Sequence, residues 1–144
     1  MTTPSQTVGP FYSIGLVEDG QNVLDPAGLV LDGRLLDGQG EPIWDGLIEL
    51  WDAVGGRWGR SGTGPDGSFS FLVPVDVACF EVYVFARGLL RHQWTRVYLD
   101  DTDDAVLEGL EPRERATLIA HREGAGFRFD IHMQGDHATV FFAH

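Results

Sequence analysis

Apolar residues along this chain recur at every second position in short runs broken by glycine and proline, the pattern of strands with one face buried. In "GLVLDGRLL", Leu29, Leu31 and Leu35 share one parity and Asp32 and Arg34 the other, which predicts a strand. "GLIELWDA" predicts a second strand, ending near residue 53. "GGRWGRSG" and "GSFSFLV" predict two more, joined as a hairpin by "TGPDG", in which Asp66-Gly67 suits a positive φ. Phe69, Phe71 and Val73 then face one way. "CFEVYVFARG" and "WTRVYL" continue with β-branched and aromatic residues. Helical spacing is confined to "EPRERATLIAHRE", where Pro112 suits a first turn and the few apolar positions predict a short helix near residues 111–117.

This succession of short strands predicts an all-β sandwich, and 144 residues suffice for one core. Net charge sharpens the picture: 22 Asp plus Glu against 10 Lys plus Arg give a field that repels phosphate backbones and anionic lipid surfaces. Nucleic acid is not an expected partner. No apolar run is long enough to span a membrane. A lone Cys79 excludes an internal disulfide, and "MTTPSQTVGP" has neither a basic nor an apolar signal-like region, so a reducing cytoplasm is the expected compartment.

Candidate chemistry is sparse. "FRFDIHM" places Phe127, Phe129, Ile131 and Met133 on one face and His132 on the other, while His137 falls in the connection "QGDHA" and His144 ends the chain. With Val140 to Phe142 returning as a closing strand, these histidines decorate a terminal hairpin and do not converge as metal ligands. "DDTDD", residues 100–104, lacks calcium-loop spacing and is expected to be a solvated acidic turn. The glycine-rich stretch at 59–67 is followed by no lysine and opens no helix, so it is no phosphate cradle. Cys79, in an apolar strand with no histidine nearby in sequence, is expected to behave as a small inert hydrophobe. These residues alone describe a soluble acidic β-sandwich, and leave open a non-enzymatic, transthyretin-like binding or assembly module.

Several motifs in fixed order go further. "TPSQTVGPFY", "GRLLDGQGEPIWDGLIELWDAVGGRW", "FARGLL", "TRVYLDD", "RATLIAHR" and "FRFDIHMQGDHATVFF" together resemble the α chains of the intradiol ring-cleaving dioxygenases, across nearly the whole sequence. The resemblance implies a β-sandwich that pairs with a β-type chain holding ferric iron through two tyrosines and two histidines. It implies O2-dependent cleavage of a catecholic acid, with conversion of protocatechuate to 3-carboxy-cis,cis-muconate as the type reaction. Where iron-binding relatives carry a tyrosine after a "GGR"-like turn, this chain has Trp58, and Cys79 and Glu81 align with the two histidines. An indole has no lone pair to offer a metal, so no metal or catalytic residue is expected in this chain.

What such a chain contributes is implied residue by residue. Thr7, Val8, Gly9 and Pro10 in "TVGP", with Arg87 in "FARG", match the α-chain positions that approach the substrate pocket. Residues 1–27 are expected to form an arm packing on the partner, and 28–144 a single sandwich domain. Insertions usual in α chains after Trp58 and before "FARG" are trimmed here, which implies a more open pocket.

Overall fold

A computed structural model describes residues 2–9 and 11–143. The alternating runs form two sheets packed on a shared core. The first holds β1 (Leu29–Leu36), β4 (Ser68–Val73), β7 (His121–Glu123) and β8 (Gly126–Arg128) in the order β4-β1-β8-β7, with β9 (Ile131–His132) also paired to β1. The second is antiparallel, with β3 (Arg57–Gly62), β2 (Leu47–Asp52), β5 (Cys79–Phe85) and β6 (Gln93–Tyr98) in that order. Parity decides what faces inward. Leu31, Leu35, Phe69, Phe71 and Val73 of the first sheet meet Ile48, Leu50, Phe80, Val82, Val84 and Val97 of the second, all buried.

Phe127, Phe129 and Ile131 join this core as their spacing predicts, but on strands parallel to β1. Leu31 pairs with Phe127 and Leu35 with Ile131 at an unchanged offset. The ladder breaks between them, where the Phe129 N–H donates to the Asp32 carbonyl (2.8 Å) and the Asp130 carboxylate accepts the Arg34 N–H (2.9 Å). A Cβ on Gly33 would collide with the Phe129 carbonyl and the Phe69 ring, so only glycine fits where β1 passes this junction.

Three local expectations are corrected. β3 and β4 are not a hairpin: Gly67 does turn at φ +75°, but β3 pairs with β2 and β4 with β1, so the turn carries the chain from one sheet to the other. The terminal return meets β9 at Thr139, whose N–H donates to the His132 carbonyl (2.9 Å) and whose hydroxyl accepts the His132 N–H (3.0 Å), but the closing segment then leaves β9. Residues 140–142 lie against β6, with the Phe142 N–H donating to the Trp94 carbonyl (2.8 Å) and the Thr95 hydroxyl to the Val140 carbonyl (2.6 Å). The acidic run 100–104 is not merely solvated. Asp104 caps α1 (Ala105–Glu108), its carboxylate accepting the Val106 N–H (2.8 Å) and the Tyr98 hydroxyl (2.9 Å). Burial acts to raise the Asp104 pKa, but those donors outweigh it and hold it below the usual carboxylate value.

The expected short helix is α2 (Pro112–Ala116), closed by a Glu111/Glu114 capping box. Beyond it, residues 118–120 run extended beside Tyr98 before β7 begins. Tyr98, Leu107 and Leu118 form a second small cluster under these helices. Among the described residues no helix is long and apolar enough to cross a membrane.

Candidate functional site

β5 ends at Phe85 and the chain turns at once, with Gly88 at φ +88° and the Leu89 N–H donating to the Ala86 carbonyl (3.3 Å). Arg87 is carried outward on this turn. The Gly88 N–H donates to the Thr7 hydroxyl (2.8 Å), tying the N-terminal segment to the arginine-bearing turn. A second tie lies two residues past "TVGP": the Tyr12 hydroxyl donates to the Phe85 carbonyl (2.6 Å). Burial, reinforced by the Asp45 charge, pushes the Tyr12 hydroxyl well above the usual phenol pKa, so it stays a donor there.

Of the residues singled out in the sequence, Thr7, Val8 and Arg87 come together. Val8 lines a cleft of about 360 Å³ with Gln6, Phe85, Leu89 and His92. Arg87 lines an adjoining cleft of about 450 Å³ with Asp37, Ile43, Gly88 and Met133. Ala86 and Leu89 belong to both. Gly9 has open space where a Cβ would stand, and its carbonyl accepts the Tyr12 N–H (3.3 Å). Pro10 lies outside the described residues, as does His144.

Sequence reasoning missed the environment of Arg87. Its Nε lies 3.1 Å from Asp45 Oδ2, and its guanidinium stands 5.7 Å from the Trp44 ring centroid. Asp45 is only 5% exposed, although "WDG" reads as an ordinary turn; no local signal marks an aspartate that tertiary packing buries.

Trp58, Cys79 and Glu81, the three positions that the resemblance matches to iron ligands, sit on one outward face of the second sheet. Trp51 pairs with Trp58 on one side and Glu81 on the other, so Trp58, Trp51 and Glu81 form a row across three strands. The two indoles stack at 5.7 Å. Glu81 accepts the Tyr83 hydroxyl (3.1 Å) and faces Arg96 at 4.0 Å. Burial pushes the Cys79 thiol up to about 11, which keeps it protonated. A stacked indole, a protonated thiol and an ion-paired carboxylate do not fit a ferric site, which favours phenolate and imidazole donors. His132 and His137 line a separate cleft of about 310 Å³ with His121, Arg128 and Asp130. Among the described residues no group of three or more His, Cys, Asp or Glu is placed to hold a metal ion.

Known proteins match nearly the whole chain. It is 33% identical to the protocatechuate 3,4-dioxygenase alpha chain of Burkholderia cepacia over 195 aligned positions, spanning 97% of this chain and 96% of the relative. It is 34% identical to the corresponding alpha chain of Pseudomonas putida, spanning 97% and 95%. An alignment of 195 positions exceeds this chain's 144 residues, so this chain is gapped where the relative carries extra residues. No family model matches. Among solved structures, the dioxygenase domain of a carbohydrate-binding fusion protein from Streptomyces sp. SirexAA-E superposes with TM-score 0.57 at 21% identity, over 79% of this chain and 87% of that one. Hydroxyquinol 1,2-dioxygenase from Pseudomonas putida DLL-E4 superposes with TM-score 0.52 at 18% identity, over 91% and 66%. These neighbours establish the sandwich fold, and with the relatives they disfavour a stand-alone transthyretin-like module.

Proposed function

Because this chain belongs to the alpha chains of the protocatechuate 3,4-dioxygenase family of intradiol dioxygenases, we propose that it is the non-iron subunit of a heteromeric ring-cleaving enzyme. The substrate is a catecholic acid, protocatechuate in the first instance. The partner β-type chain supplies ferric iron, at which dioxygen opens the ring between the two hydroxyls and both oxygen atoms enter 3-carboxy-cis,cis-muconate. This chain's task is to bind and orient. Thr7, Val8, Gly9 and Arg87 border the pocket, with the Arg87 guanidinium pairing the substrate carboxylate and Val8 walling the ring.

The observation that carries this reading is the Thr7–Gly88 hydrogen bond, which joins segments 81 residues apart into one rim. Residues 1–27 act as the arm that packs on the partner. Supporting this, Phe11 is 72% and Ile14 74% exposed, too much apolar surface to leave in water. The arm also grips its own sandwich, since the Leu24 N–H and the Arg60 N–H donate to the Leu72 and Gln21 carbonyls (each 2.9 Å). A lone cysteine and 22 acidic residues suit a cytoplasmic protein that takes up neither nucleic acid nor membrane.

The test is co-expression with the β-type chain. We expect one co-eluting species by size exclusion with light scattering, carrying iron and consuming O2 with protocatechuate, whereas this chain alone is colourless and inactive. Within that complex, Arg87→Ala should lower kcat/KM for protocatechuate by roughly ten- to hundredfold, since a charge-assisted hydrogen bond is worth about 1.5–3 kcal/mol. Catechol, which has no carboxylate, should be little affected. Failure of the chains to associate, or activity of this chain by itself, would refute the subunit assignment.

A further inference from the structure

Resting on that reading of Arg87, we infer that Asp45 and Trp44 form a brace that aims the Arg87 guanidinium, making Asp45 a positioning residue for the carboxylate of an aromatic acid substrate. Asp45 stands just before β2, which begins at Leu47, and is 5% exposed. A buried carboxylate requires a compensating cation, and among the described residues Arg87 supplies it at 3.1 Å. The contact is electrostatic more than directional, because no donor is aligned for a hydrogen bond to Asp45 Oδ2. Trp44 closes a second side, its ring 5.7 Å from the guanidinium carbon, within cation–π range.

The geometry assigns each edge of the guanidinium a task. Nε lies beside Asp45 and the guanidinium carbon lies over the Trp44 ring, while Nη1 and Nη2 hydrogen-bond to no described residue. Those two groups form the end-on fork that meets a carboxylate bidentately, and Arg87 borders the cleft of about 450 Å³. An unbraced arginine, 53% exposed, would sample many rotamers, and binding would have to select one. The Thr7 hydroxyl on the Gly88 N–H (2.8 Å) fixes the backbone of the same turn. Backbone and side chain of Arg87 are therefore restrained independently.

Positioning and simple electrostatics predict opposite signs. Asp45 repels a substrate carboxylate, so if it contributed only charge, Asp45→Asn would improve binding of the acid. If it braces Arg87, the same substitution weakens binding. In the reconstituted complex we expect Asp45→Asn to raise KM for protocatechuate about three- to tenfold with kcat nearly unchanged, and to leave catechol unaffected. Trp44→Leu, at an exposed position that folding tolerates, should give a smaller loss of the same selectivity. Independently of activity, 15N relaxation of the Arg87 Nε–H in the full chain should show it more ordered than exposed Arg91, and Asp45→Asn should abolish that difference.

Arg87 Nε as mobile as that of Arg91 in the unsubstituted chain, order retained in Asp45→Asn, or tighter binding of the acid by that variant would each overturn the brace. Arg87→Ala separates the two claims. If it loses the acid selectively while Asp45→Asn does not, the brace fails and the pocket role of Arg87 stands. If Arg87→Ala treats both substrates alike, the carboxylate role fails and the inference falls with it.

Discussion

Replacing Asp52 tests how the second sheet is held together at its tightest turn. Asp52 ends β2 with its side chain fully buried, and its carboxylate gathers three donors: Val54 N–H (3.1 Å), Gly55 N–H (2.8 Å) and Arg57 Nε (2.8 Å). The first two shape the β2–β3 turn, and the third pins the first residue of β3. Burial acts to raise the Asp52 pKa but is outweighed by these donors, so its carboxyl titrates below the ordinary value. Asp52→Ala removes all three bonds. The released N–H groups belong to exposed turn residues and recover water, which keeps each bond near 1 kcal/mol and the total loss at about 2–4 kcal/mol.

For a chain of this size that is a fall in Tm of roughly 6–12 °C. Asp52→Asn keeps an acceptor for the turn but loses the charge, and should cost less than Asp52→Ala. The pH dependence has a definite sign: a depressed folded-state pKa contributes stability that is complete above the unfolded carboxyl value, about 3.9, and is lost as pH falls through the lower folded value. Urea denaturation from pH 6 down to pH 3 should therefore show wild type approaching Asp52→Asn only below about pH 4. A constant gap between the two down to pH 3, or a loss below about 0.5 kcal/mol for Asp52→Ala, would refute this account.

Gly33→Ala should destabilise by about 3 kcal/mol or more, because the added methyl meets the Phe129 carbonyl and the Phe69 ring, and the backbone at that junction has no room to yield; an unchanged melting curve would show that the strands can part there. Cys79, its thiol pushed up to about 11 by burial, should react with a thiol reagent at pH 8 more than a hundredfold slower in the folded protein than in urea, and similar rates in the two states would mean that the thiol is neither buried nor perturbed.

Within its secondary structure, the chain is most legible where one contact period repeats. The parity of Leu31 and Leu35, of Phe69, Phe71 and Val73, and of Phe127, Phe129 and Ile131 assigns each to a buried face before any partner strand is known. Gly67 and Pro112 mark a turn and a helix start by chemistry confined to a few neighbours. Helix α1 escaped because its cap, Asp104, stands in a run of acidic residues that reads as solvated. The candidate site was legible through family motifs, which singled out Thr7, Val8 and Arg87 but said nothing of Asp45 or Tyr12.

Sequence by itself determined which residues point inward, since that depends on a two-residue period in the backbone. Tertiary structure decided which strands pair. β3 and β4 adjoin in sequence yet join different sheets, and β8 lies parallel to β1 although Leu31 and Phe127, which meet, are 96 residues apart in sequence. It also decided that Asp45 is buried beside Arg87 and that Thr7 meets Gly88. The free energy of such pairings comes from contacts between segments distant along the chain, and neither segment alone carries a signal of the other.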